Sequence, residues 1–164
     1  DTVYASIAGV GFDALIAREF AKTQTRGFQP YLKLVLQHYP HYQQQNYTLV
    51  IDGKEITTQA LFISFANSKQ FGFNTEIAPN AELNDGLIDI VIVKKPPLPL
   101  LFWTAQLLFF RKFDKSIYVE TYQAKHVVVK NMDKMSINLD GEYVELNGDL
   151  DFSIVPKSLK VIIP

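Results

Sequence analysis

The apolar residues of this chain come in short runs, each closed by a turn signal, and that pattern restricts the fold more than anything else in the sequence. Residues 60–66 form a continuous apolar run, the signature of a central strand buried on both faces. Residues 86–93 read as a second buried strand. From Tyr47 the period is two: Leu49 and Ile51 alternate with Thr48 and Val50 up to Asp52-Gly53, a hairpin turn, and the return strand contains Ile56. The C-terminal third repeats the theme. Strands are expected over 118–121, 126–129, 135–139, 142–146, 150–155 and 159–163, with turns at Asp140-Gly141 and Asn147-Gly148. Many short strands separated by turns favour a β-sandwich or a closed sheet.

Helices are expected between these strands. The small apolar stretch 3–10 reads as a buried strand, in which Gly9 and Gly11 allow a tight turn or a close backbone neighbour. Asp13 then opens a helix over 13–22, with a carboxylate in the first turn where the helix dipole favours it. A second helix is expected over 31–39, begun near Pro30 and stopped by Pro40. Residues 67–76, NSKQFGFNTE, read as a polar loop. Residues 96–110, PPLPLLFWTAQLLFF, are the most apolar segment. They are too few for a transmembrane helix, which needs about 20 residues, and read as a helix buried on the domain. The alternative is a face turned to lipid or to a partner. The fold class expected is α+β, mainly β: one sandwich-like domain over 1–164 with inserted helices.

Composition matters chiefly for what it excludes. With 164 residues and 48% apolar content, the chain is long enough to bury a core and too apolar to be disordered. A net charge of −1 and the absence of any Lys/Arg run give no electrostatic reason to expect nucleic acid. Zero Cys excludes disulfides, thiolate metal sites and Cys nucleophiles, and fits a cytoplasmic setting. The first residues lack a charged n-region and an h-region, so no signal peptide is expected there, and the chain reads as a fragment.

Candidate chemistry is confined to carboxylates. His38, His41 and His126 lack zinc-ligand spacing, and neither a nucleophile elbow nor a phosphate-binding glycine loop is present. Asp13, Asp85, Asp89, Asp140 and Glu142 sit beside expected turns. Asp140-Gly141-Glu142 places two carboxylates together, an arrangement that can hold one as a general base. Asp52-Gly53-Lys54 is an internal control: the same turn, with Lys where the second has Glu142. Asp85, next to Gly86 at the start of a strand, can accept backbone N–H bonds or bind a hard cation with nearby carbonyls.

Taken in order, GVGFDA at 9–14, FANSKQFGFNTEIAPNAELNDGLIDI at 65–90, LDGE at 139–142 and VPKSLKVIIP at 155–164 resemble the C-terminal domain of the diacylglycerol kinase-like lipid kinases. That family includes bacterial lipid kinases and the sphingosine and ceramide kinases. Two features depart from it: a Gly-rich run is replaced by Gly72-Phe73-Asn74, and an acidic pair by Asn84-Asp85. The resemblance implies a two-domain enzyme whose N-terminal domain, absent from this chain, binds ATP. The domain here would receive the lipid, diacylglycerol or a sphingoid base. Glu142 would act as base on its hydroxyl, and Asp140 would assist through the nucleotide's Mg²⁺ or by orienting groups. The resemblance also implies a structural Mg²⁺ on Asp85, with main-chain oxygens of Glu82 and Leu87. Peripheral contact at the inner membrane face and a homodimer stay open. A non-catalytic module of the same fold, and an NAD kinase-like phosphotransferase domain, are the competing readings.

Overall fold

A strand that is apolar on both sides needs a packed layer on each, and β4 (Phe62–Ala66) and β7 (Ile88–Val93) have both. The computed structural model describes residues 2–131, 134–156 and 158. It places these two strands side by side in the interior of a six-stranded antiparallel sheet ordered β11-β10-β1-β4-β7-β8. The remaining members are β1 (Ile7–Gly11), β8 (Val119–Ala124), β10 (Lys134–Leu139) and β11 (Glu142–Asn147). A four-stranded antiparallel sheet packs on one face. It comprises β2 (Gln45–Ile51), β3 (Lys54–Ala60), β9 (His126–Lys130) and β12 (Leu150–Ser153), in the order β12-β9-β2-β3. The inner faces share one core, with Val10, Ile63, Ile90 and Ile137 from the larger sheet and Leu49 and Val129 from the smaller. Phe65 stacks on Phe152 across the gap, ring centroids 4.2 Å apart. The expected sandwich is what forms.

Both Asp-Gly hairpins close with two-residue loops, Ile51 opposite Lys54 and Leu139 opposite Glu142. Positive φ at Asp52 (45°) and Gly53 (84°), and at Asp140 (50°) and Gly141 (93°), gives the twist-matched type I′ turn.

The helices cover the outer face of the six-stranded sheet. They are α1 (Phe12–Ala21), α2 (Phe28–His38) and α3 (Leu98–Phe109). Gly11 makes the sharp join from β1 to α1: its φ is +86°, and a Cβ there would lie 2.8 Å from the Leu61 carbonyl. Only glycine fits both conditions.

The structure revises several expectations. The first strand begins at Ile7 rather than Val3, because the N–H groups of Ala5, Ser6 and Ile7 are held by a side chain. Residues 67–76 are not simply a polar loop. They contain β5 (Gln70–Gly72) and β6 (Thr75–Glu76), a hairpin whose apolar members Phe71 and Phe73 face the helices. Asp89 is not a turn carboxylate; it lies buried within β7. In α3 Thr104 is buried, while Phe102, Trp103 and, at the helix C-cap, Phe110 stand out into solvent. A helix apolar on every side can bury only the arc that meets the sheet, and no second layer among the described residues covers the rest. The strand expected over 159–163 lies outside the described residues.

Candidate functional site

A cavity of about 550 Å³ opens on the outer face of the six-stranded sheet, between the three helices and the β5–β6 hairpin. That volume falls in the range of small-molecule sites. Its walls are mainly apolar: Ile16 from α1, Tyr31 and Val35 from α2, Phe71 from the hairpin, Leu101 and Leu108 from α3. At the rim, Phe28 meets Phe73 and Phe109 edge to face, ring centroids 5.5 and 6.3 Å apart.

The polar lining residues are gathered by hydrogen bonds. Asp13, in the first turn of α1, is 5% exposed. Its carboxylate lies over Gly9, where a Cβ would come within 2.0 Å of Oδ2. Asn138 on β10, the strand paired with β1, donates to that same oxygen at 2.9 Å. The Asn138 Oδ1 in turn accepts the Gly141 N–H at 2.9 Å. A continuous polar link therefore runs from the cavity interior to the Asp140-Gly141-Glu142 hairpin. Burial lifts the Asp13 pKa to about 6, opposed by the Asn138 hydrogen bond. Burial, aided by the Asp13 charge, also raises the pKa of the Tyr31 phenol. Along the chain, Asp13 reads as an ordinary helix-start charge. The signal for more is Gly9, four residues earlier, which leaves space over the strand for a carboxylate.

Asp140 is anchored. Its carboxylate accepts the N–H groups of Ala5 (2.6 Å), Ser6 (2.8 Å) and Ile7 (2.9 Å), and its own N–H donates to the Ile7 carbonyl. Three of the roughly four lone-pair sites of a carboxylate are thereby used. Asp52 does the same in the other hairpin, accepting from the N–H groups of Lys125 and His126 and donating to the His126 carbonyl. The aspartate of each turn is thus a clamp on a neighbouring strand. Asp140→Ala should lower stability in urea denaturation by about 2 kcal/mol, as expected when hydrogen bonds to a charged group are lost. Asp52→Ala should give a similar loss. A wild-type denaturation midpoint for Asp140→Ala would show that the clamp contributes nothing.

Glu142 differs from its hairpin partner. It is exposed at the first position of β11, and its side chain makes no hydrogen bond or ion pair among the described residues. Gly141, immediately before it, lines the cavity. Glu142 itself is not part of the lining, but a carboxylate with no internal partner one residue from the cavity wall can accept a proton from a bound molecule.

The residues expected to hold a metal lie in the segment before β7. Asp85 is exposed and accepts the Leu87 N–H at 2.9 Å, curling the chain at Gly86. Glu82 is exposed close by in the same segment. No convergence of three His, Asp or Glu side chains occurs among the described residues. Asp89 supplies the test of fit. One of its oxygens accepts from Gln123 at 3.2 Å, while Oδ2 is buried with no partner among the described residues. Burial raises its pKa, and the nearby Asp85 charge adds to the rise. An orphaned buried oxygen beside a second carboxylate suits a hard cation that completes its shell with carbonyls and water.

The comparisons with known proteins agree with this architecture. Residues 6–163 match the family described as the YegS C-terminal NAD kinase beta sandwich-like domain. A diacylglycerol kinase of Mycobacterium tuberculosis is 26% identical over 163 residues, covering 98% of this chain and 52% of that protein. A Bacillus subtilis protein provisionally named the lipid kinase YtlR is 28% identical over 143 residues, 82% of this chain and 46% of its own length. The chain thus spans about half the length of these relatives. Among solved structures, a Bacillus anthracis protein provisionally named a diacylglycerol kinase superposes with a TM-score of 0.64 at 14% identity, covering 93% of this chain and 50% of that one. By sequence the chain belongs to the YegS C-terminal NAD kinase beta sandwich-like family, and its fold is that of the matched half of the solved structure.

Proposed function

We propose that this domain receives the lipid in an ATP-dependent lipid kinase and supplies its general base. The observation that carries the reading is the cavity itself: apolar walls that suit acyl chains, with Asp140 and Gly141 of the hairpin in its lining and Glu142 the next residue along the chain. Glu142 takes the proton from a lipid hydroxyl, of diacylglycerol or of a sphingoid base. As that O–H bond breaks, the oxygen forms a bond to the γ-phosphorus of ATP and the bond from phosphorus to the ADP oxygen breaks. ATP is held by a separate nucleotide-binding domain. Positioning and charge stabilisation carry most of such a transfer. Asp140 serves by clamping the hairpin to β1, which fixes where Glu142 stands. Asp13, a buried carboxylate whose hydrogen-bond partner among the described residues is Asn138, accepts a hydrogen bond from the polar end of the lipid. A Mg²⁺ with the nucleotide would neutralise phosphate charge, and a second would be structural, held by Asp85, the carbonyls of Glu82 and Leu87, and the orphaned oxygen of Asp89.

The reading is tested by incubating the full-length protein with γ-labelled ATP, Mg²⁺ and a panel of lipids bearing free hydroxyls, and in parallel with NAD. Label in a lipid is expected. Label on NAD with none in any lipid would replace this reading with the NAD kinase-like one. The structural cation has its own check. Asp85→Ala should lower the melting temperature in Mg²⁺ buffer more than in EDTA, because a ligand of the folded state adds stability by mass action. Equal losses in the two buffers would leave Asp85 as a turn residue.

A further inference from the structure

The outer face of α3 has no covering layer among the described residues. Phe102, Trp103 and Phe110 are 64%, 65% and 67% exposed, and Ile117, just beyond the helix, is 86% exposed. Side chains of this kind in one patch signify contact with something apolar. The helix has 12 residues, about 18 Å at the α-helical rise, against a hydrocarbon core of ~30 Å. Among the described residues no helix is long and apolar enough to cross a membrane. Such a helix can lie in a membrane surface but cannot span it.

Two further observations identify the occupant. The first is charge. Lys94 and Lys95 precede the helix, and Arg111, Lys112 and Lys115 follow it. Three of these are paired: Lys94 with Glu120, Arg111 with Glu76 and Lys115 with Asp114. The Lys95 ammonium donates to the main-chain carbonyls of Pro40 and Tyr42 and lies over the Tyr39 ring, with no carboxylate partner, and Lys112 has no ion pair among the described residues. One uncompensated positive charge therefore stands near each end of the helix, on a chain of net charge −1. The second is continuity. Phe109 belongs to α3 and also to the aromatic rim of the cavity, so the apolar surface runs without a break into the proposed lipid site.

We propose that the outward face of α3 docks on an anionic lipid bilayer. Trp103, Phe102 and Phe110 sink into the headgroup–acyl boundary, where Trp is at home. The exposed Lys112 meets anionic headgroups, while the Lys95 charge, held at the other end of the helix, adds to the positive field there. The Phe28–Phe73–Phe109 rim is thereby brought to the lipid surface, so that a lipid passes from bilayer to cavity without crossing water. This names the partner of the site proposed above and rests on that reading. Its test requires no turnover, so the two can fail separately.

The experiment is co-sedimentation of the full-length protein with phosphatidylcholine vesicles, with and without phosphatidylglycerol, alongside the triple variant Phe102→Ser, Trp103→Ser, Phe110→Ser. The wild type should bind the phosphatidylglycerol vesicles better than the neutral ones. The triple variant should lose at least about tenfold in partitioning, given the apolar area removed. Should it lose its native circular dichroism, Phe102→Ser alone gives the comparison. Equal partitioning of variant and wild type overturns the proposal, and so does a wild type that ignores vesicles. A dimer dissolved by the triple substitution would show that a second copy covers the face. Trp103 shielded from acrylamide without vesicles, with Trp103→Phe identifying its emission, would show that another domain does; either result sinks the proposal.

Discussion

Glu142→Gln in the full-length protein is expected to keep the fold and remove most of the lipid phosphorylation. The side chain is exposed and makes no internal bond among the described residues, so an amide of nearly the same size disturbs nothing that holds the hairpin together. The turn depends instead on Asp140 and on the Gly141 N–H bonded to Asn138. The chemistry, by contrast, depends on a proton acceptor, and an amide is not one at neutral pH. General-base catalysis accounts for ~10²–10⁴-fold in rate, and kcat should fall within that range with an unchanged melting temperature. Lys54→Gln is the matched control. It follows an Asp-Gly turn of the same backbone type, clamped in the same way, and should leave kcat untouched. A Glu142→Gln enzyme retaining more than about a tenth of wild-type kcat would falsify the assignment of the base. Loss of stability in that variant would instead show that the side chain supports the fold.

Asp13→Asn should make the protein more stable and a poorer catalyst. In the folded chain burial raises the Asp13 pKa from 3.8 to about 6. Between those two values the native state keeps a proton that the unfolded chain has released, so stability falls as pH rises through the window. Above it both states are ionised and the loss is constant. A rise of that size corresponds to about 3 kcal/mol. Asparagine carries no charge and can still accept from the Asn138 amide. The variant should therefore unfold at higher temperature than wild type near neutral pH, and the advantage should vanish in acid, below the unfolded-state value. With lipid substrate, kcat/KM should drop about tenfold, the scale of one charge-assisted hydrogen bond. A melting advantage independent of pH would mean that Asp13 is not a buried charge in the folded protein. Unchanged kcat/KM would remove it from the lipid site while leaving the stability argument intact. Residues that cost stability are retained where they serve function, which is why the two effects are expected together.

The same link relates the two experiments. Asp13 touches Asn138, and Asn138 touches Gly141, the residue before Glu142. An Asp13 substitution that also altered the dependence of kcat on Glu142 would be read through this connection. Independent effects would place Asp13 with the lipid alone. Additivity in the double variant separates the two, since groups in contact couple and distant ones do not.

What the sequence determined by itself is the part governed by neighbours along the chain. Alternation of apolar residues marked β2, and the Asp-Gly dipeptides marked two-residue hairpins, because an I′ turn needs positive φ at both positions and few residues tolerate it. The continuous apolar run of β4 marked a strand with a layer on each face. The order of the 65–90 segment and LDGE was enough to indicate the family, and the match over residues 6–163 agrees.

The tertiary structure decided the rest, and the reason is distance along the chain. Asp13 is buried because Gly9 leaves space and because Asn138, 125 residues away, is delivered to it by the pairing of β10 with β1. Asp140 is a clamp because the strand it meets begins some 133 residues earlier. Residues 70–76 are a cavity wall because α2 and α3 stand opposite Phe71 and Phe73. The most apolar segment reads as a buried helix along the chain, yet in the fold much of it stands exposed. Hydrophobicity states how strongly a surface is driven from water, but only the number of layers around it decides whether that surface finds cover within the domain.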